Sequence, residues 1–161
     1  MTKQILNALD FIHNLRLVHC DLKPENIFIT RSPQEDLHAK IGDLGTLAPI
    51  NTTGLTGTAD YMSPDKYTQW QQKALNDYQN TTTEDSWALG CTLYELYAPG
   101  CKERLAGCTQ LKIYQLIQQP EMIPLEIQPI LKGLLARNAD ERWTVQQAVT
   151  ALEGCLSLIV V

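Results

Sequence analysis

Residues 85–98, "DSWALGCTLYELYA", are apolar on almost every side. A helix on the surface of a domain needs only an apolar stripe, whereas one that is apolar all round has to be enclosed by other elements. This segment therefore predicts a mainly α domain (α+β overall) built as a bundle around a buried central helix. The chain supplies partners for it. Ile5, Leu9 and Ile12 recur on one face of a helix over residues 3–15, with Leu6 and Leu15 beside them. Leu111, Tyr114 and Ile117 outline another helical face, and Ile127, Ile130, Leu131, Leu134 and Leu135 a further one. The last helix opens on Thr144 and Gln147, spaced as a capping box, with Val145, Ala148, Val149 and Leu152 on one side.

Between the first helix and the central one the pattern changes. "NIFIT" and "HAKIG" are short β-branched or apolar runs around "RSPQEDL", whose Ser, Pro and Asp favour a turn, so they predict a short hairpin. From Gly42 to Tyr67 no period is visible and Gly, Thr, Pro and Asn abound; this predicts a long loop, and loops of that length usually carry function. Residues 66–85 read as a polar insertion.

Bulk properties narrow the function. With 161 residues, 44% of them hydrophobic, the chain is one domain or a large piece of one. A net charge of -5 without any Lys/Arg cluster argues against nucleic acid or an anionic membrane as partner. The N-terminus lacks a signal-peptide pattern, and the terminal "LSLIVV" is far shorter than the roughly 20 apolar residues of a membrane span. Cys20, Cys91, Cys101, Cys108 and Cys155 form an odd set with no C-x-x-C and no metal-ligand spacing, which predicts reduced thiols in a soluble, cytoplasmic protein.

Five stretches then follow one another in a telling order. "HCDLKPEN" (19–26) closely resembles the catalytic loop of eukaryotic-type protein kinases, H-R-D-L-x-x-x-N, with Asp21 and Asn26 at the spacing that pattern requires. "IGDLG" is similar to the kinase I-G-D-F-G, with Leu44 keeping an apolar side chain where Phe is usual. "GTADYMSPD" (57–65) resembles the end of the activation segment, Ser63-Pro64-Asp65 standing for A-P-E. "DSWALG" resembles the buried helix bearing D-x-W-x-x-G, and "LARNADERWT" the late segment whose Arg, here Arg142, pairs with the A-P-E acid. Lys23 and Thr58 match the Ser/Thr branch of the family rather than the tyrosine-specific one.

The resemblance implies a kinase C-terminal lobe over residues 1–161, with catalytic loop 19–26, metal-binding turn 43–45 and activation segment 43–65. It implies transfer of the ATP γ-phosphate to Ser/Thr hydroxyls of a protein substrate, with Mg²⁺. Phosphoryl transfer asks a protein for positioning and charge neutralisation more than for covalent chemistry. On that basis Asp21 accepts the substrate hydroxyl proton, Lys23 lies near the transferring phosphate, and Asn26 and Asp43 offer the hard oxygen ligands that Mg²⁺ takes. Thr58 lies against Asp21 and Lys23, His19 and Asp85 support the loop, and Asp65 forms a buried ion pair with Arg142.

The sequence also departs from the pattern. Cys20 stands where most kinases carry the Arg that pairs with a phosphorylated loop, so a phosphate on Thr52, Thr53 or Thr56 loses one charge-assisted partner, and the expectation is that loop phosphorylation is not relied upon. Asp65 is one methylene shorter than the usual Glu. Only 18 residues precede His19 and the first glycine is Gly42, so the Gly-rich loop, strand Lys and helix Glu that hold the ATP phosphates are absent from these residues, and Lys40 does not replace them. The expectation is a C-lobe without its N-lobe, completed by further sequence or by another kinase chain. The alternative is a C-lobe-only module that binds or inhibits another kinase. A His19/Cys20 nucleophilic pair is disfavoured because sequence neighbours on a loop point apart.

Overall fold

The central helix spans Thr82–Tyr97 (α3), and every residue from Glu84 to Tyr94 is buried. The computed structural model describes residues 1–54, 56–73, 78–100, 104–119 and 121–157, with only the backbone described at Leu156. Around α3 lie α1 (Thr2–Asn14), α2 (Pro64–Gln71), α4 (Gln110–Ile117), α5 (Gln128–Leu134) and α6 (Val145–Ser157). Strands β1 (Leu17–Val18) and β4 (Ala48–Pro49) form one small antiparallel pair, β2 (Ile27–Arg31) and β3 (Leu37–Ile41) the other. Among the described residues this is a mainly α fold with two minor sheets.

α1 buries Ile5, Leu6, Leu9 and Ile12 against α6 and β3, but Leu15 follows the end of the helix and is exposed. α5 packs between α3 and α6 on Ile130, Leu131 and Leu134, with Ile127 and Leu135 buried at its ends. At the start of α6 the Thr144 amide donates to Gln147 Oε1 at 2.8 Å and the Gln147 amide to Thr144 Oγ1 at 3.2 Å, the reciprocal bonds of a capping box.

α4 departs from the sequence reading. Its buried face is Ile113, Leu116 and Ile117, whereas Leu111 is exposed and Tyr114 half-buried. The cause lies at its first residue: the Gln110 side chain donates to the Leu135 carbonyl and accepts from the Arg137 amide, which sets the roll of this two-turn helix against α5.

The aperiodic stretch after Gly42 is tied down locally. β4 pairs with β1 in the register Leu17↔Pro49 and Val18↔Ala48, and the Asn51 amide donates to the Asn80 carbonyl. α2 begins inside it, because Ser63 Oγ accepts from the Lys66 amide as N-cap and Pro64 occupies the first turn. The polar stretch 66–85 thus contains most of α2 and the first turn of α3; its residues 74–77 lie outside the described residues, as do Cys101 and 158–161. Cys20, Cys91, Cys108 and Cys155 take part in no disulfide. Among the described residues no helix is long and apolar enough to cross a membrane.

Candidate active site

The loop from His19 to Asn26 is hung from α3 by one carboxylate. Asp85, buried in the first turn of α3, accepts from the His19 amide at 2.6 Å, the Cys20 amide at 3.0 Å and His13 Nε2 of α1 at 2.9 Å. Two of these donors are backbone groups of a turn that helix or sheet partners cannot satisfy, with Cys20 at φ 71°, and burying them without an acceptor is costly. His19 turns its enclosed ring the other way, Nε2 donating to the Gly42 carbonyl at 2.9 Å and Nδ1 accepting from the Asp21 amide at 3.4 Å. One ring thereby links the 19–26 loop to the "GDLG" turn and is committed at both nitrogens, so it cannot serve Cys20 as a base. Burial pushes the Cys20 thiol above its ordinary value, which also removes it as a nucleophile.

Three side chains close a triangle at the loop's outer edge. Lys23 Nζ donates to Asp21 Oδ2 at 2.7 Å and to Thr58 Oγ1 at 2.9 Å, while Thr58 Oγ1 donates to Asp21 Oδ1 at 2.8 Å. Burial pushes the Asp21 carboxyl up, but the hydrogen bonds from Lys23 and Thr58 and the Lys23 charge together outweigh it and hold the group below the ordinary carboxylate value. The hydrogen bond to Asp21 raises Lys23 in turn, against a smaller opposing effect of burial. The pair is charged, oriented and partly open to solvent. Thr58 reaches it because Gly57, at φ +120°, passes so close to the loop that a Cβ there would lie 2.6 Å from the Cys20 carbonyl oxygen.

The hairpin brings the two remaining residues together. Its register pairs Ile27 with Ile41, and the Gly42 amide donates to the Asn26 carbonyl at 2.8 Å, so Asn26 and Asp43 stand at the same open end. The buried Asn26 commits its amide nitrogen to the Asp21 carbonyl at 2.8 Å. Asp43 is exposed, in a left-handed backbone conformation that Asp tolerates better than most residues. The exposed Phe28 ring lies over Gly42, where a Cβ would strike it, and Leu44 is equally exposed instead of anchored within the chain. No group of three or more His, Cys, Asp or Glu side chains able to hold a metal occurs among the described residues.

Arg142 is buried and is held chiefly by backbone carbonyls. Its enclosed guanidinium donates to the carbonyls of Ala136, Thr83 and Arg137 at 2.9–3.0 Å and stacks 5.2 Å from the Trp87 ring centroid. Asp65 Oδ2 stands 3.8 Å from Arg142 Nη2, a long ion pair buried on the Arg142 side and largely exposed on the Asp65 side. The buried acid beside Arg142 is Glu84, at 3.9 Å, whose Oε1 accepts from Ser63 Oγ and Tyr78 Oη. Sequence reasoning missed Glu84 and His13. Glu84 could have been found as a second acid entering an apolar helix, and His13 as the polar residue closing the α1 stripe.

This geometry accords with what the chain resembles. A family model described as protein kinase domain matches residues 1–152, and the chain belongs to the protein kinase family. It is 32% identical over 152 residues to 3-phosphoinositide-dependent protein kinase 1 of Homo sapiens, covering 88% of this chain and 25% of that protein. It is 28% identical to serine/threonine-protein kinase PKH1 of Saccharomyces cerevisiae over 89% of this chain and 20% of the relative. Likeness to serine/threonine-protein kinase fused of Drosophila melanogaster is 29%, over 96% of the chain and 19% of the relative. The chain thus spans about a fifth to a quarter of the length of these three relatives.

Proposed function

We propose that this chain is the catalytic C-terminal lobe of a serine/threonine protein kinase, active with ATP and Mg²⁺ on protein Ser/Thr hydroxyls. The observation that carries the reading is the Asp21–Lys23–Thr58 triangle, which presents an ionised carboxylate beside a fixed ammonium at a solvent-facing edge. Asp21 accepts the hydroxyl proton of the substrate and orients its oxygen, and Lys23 neutralises charge at the phosphate. The Asn26 amide oxygen and the Asp43 carboxylate are hard donors suited to Mg²⁺, which typically takes one or two protein ligands and completes its shell with phosphates and water. Bound Mg-ATP supplies the transferable phosphoryl group and the counter-charge. The supports for Asp21 and for the hairpin end, namely Asp85 and His19, need only keep their geometry.

Two exposed apolar side chains beside the site, Phe28 and Leu44, favour a second reading, in which this lobe docks on another kinase chain and contributes no chemistry of its own. Transfer of labelled γ-phosphate from Mg-ATP to a generic Ser/Thr protein separates the two. The kinase reading expects transfer that disappears in Asp21→Asn. Transfer that persists unchanged in that variant, or none from the folded chain supplied with its flanking sequence, refutes it.

A further inference from the structure

Behind the catalytic triangle lies a small cavity of about 10 Å³ lined by Cys20, Asp21, Gly57, Thr58, Lys66 and Glu84, with Asp85 close by. Its one cationic wall, among the described residues, is Lys66 from the first turn of α2, only 3% exposed. A buried ammonium without a counter-charge is costly, so the acids around it identify what it serves. Asp21 is engaged by Lys23 and Thr58, and Asp85 by His13 and two backbone amides. Glu84 Oε1 is engaged by Ser63 and Tyr78 and stands 3.9 Å from Arg142 Nη1, but its buried Oε2 has no hydrogen-bond partner. The cavity has room for about one water, and both Lys66 and Glu84 face it.

We propose that Lys66 is the positioning residue of the activation segment. Its ammonium pairs with Glu84 Oε2 through a water in this cavity and thereby clamps the segment onto the catalytic loop. Lys66 Nζ sits 3.6 Å from where a Gly57 Cβ would be, against the same side as the Cys20 carbonyl, so the ammonium, Gly57 and the loop backbone are packed together one residue before Thr58. The Ser63–Glu84 hydrogen bond fastens the start of α2 to α3, and the bridged pair fastens the turn before it. Position 20 contributes a thiol in place of a cation, which leaves the positive charge at this junction to Lys66. The clamp is built into the fold and needs no phosphate. Its consequence for catalysis rests on the kinase reading above, whereas its existence does not.

Amide hydrogen exchange reads the clamp without nucleotide or substrate, so it fails or succeeds independently of any phosphate transfer. Tyr61 and Met62 report on the segment, because their amides bond to the carbonyls of Thr58 and Ala59 in the turn that follows Gly57. Lys66→Met is expected to accelerate exchange at both by about tenfold or more, and Lys66→Arg to restore it to within about threefold, with Ala148 and Val149 in α6 unchanged. Glu84→Gln keeps the shape and removes the charge, and is expected to give the same local acceleration, with little further increase when combined with Lys66→Met. Unaltered exchange at Tyr61 and Met62 in Glu84→Gln overturns the proposal, including where Lys66→Met does not fold. A double variant whose acceleration equals the product of the two single ones overturns it as well.

Discussion

The two sides of the site are held in opposite ways. The loop carrying Asp21 hangs from Asp85, a buried carboxylate with three donors, whereas the turn carrying Asp43 is exposed and joined to the loop through Gly42. The difference teaches that the placement of Asp21 is a property of the helical core, while Asp43 has no comparable anchor within it. The same contrast separates Arg142, enclosed by three carbonyls, from Asp65, which lies at the surface near it.

The largest test removes the anchor. Asp85→Ala leaves the His19 and Cys20 amides buried without an acceptor and should destabilise the chain by at least about 3 kcal/mol in denaturant unfolding. A loss below about 1 kcal/mol would mean that the loop is held elsewhere. Arg142→Ala comes next, at about 3 kcal/mol, because it strands the buried Glu84 and takes the donor from three carbonyls, while Asp65→Ala should change unfolding by under about 0.5 kcal/mol. Comparable losses from the two would show that the half-exposed Asp65 pair holds Arg142 as strongly as its enclosed partners do.

Acidity probes the triangle. Asp21 is depressed in the folded chain, so its contribution is present above the ordinary carboxylate value, near about 3.9, and is lost as pH falls through its lower folded value. Lys23 is raised, so its contribution is present below about 10.4 and is lost as pH rises through its higher folded value. A carboxyl chemical-shift titration should place Asp21 below its ordinary value and move it upward in Thr58→Val; no movement would remove Thr58 from the triangle. The smallest effect is expected at the exposed turn. Asp43→Asn should alter stability by under about 0.5 kcal/mol, and a larger loss would show that the turn is part of the core.

Much of this was legible from the chain because the signals are local. Asp21, Lys23 and Asn26 sit within one loop, the capping box of α6 spans four residues, and the burial of α3 follows from its own composition. What was not legible depends on distant partners. The face of α4 is chosen by Gln110 reaching Leu135 and Arg137, and a two-turn helix offers more than one apolar stripe. Glu84, Lys66 and His13 each look like ordinary polar residues until α1, α2 and α3 enclose them. The resemblance implied the Asp65–Arg142 pair, and that the acid's end of it is open to solvent depends on how α2 sits at the surface.

The most direct test of the proposed roles of Asp21, Asn26 and Asp43 uses Mn²⁺ as a stand-in for Mg²⁺. With ATP present, paramagnetic broadening of amide resonances should centre on Asn26 and Asp43, fade when ATP is left out, and vanish in Asp43→Asn. Broadening centred elsewhere, or unchanged by Asp43→Asn, would contradict the assignment of these two residues as the cation ligands and with it the reading of this lobe as a phosphoryl-transfer site.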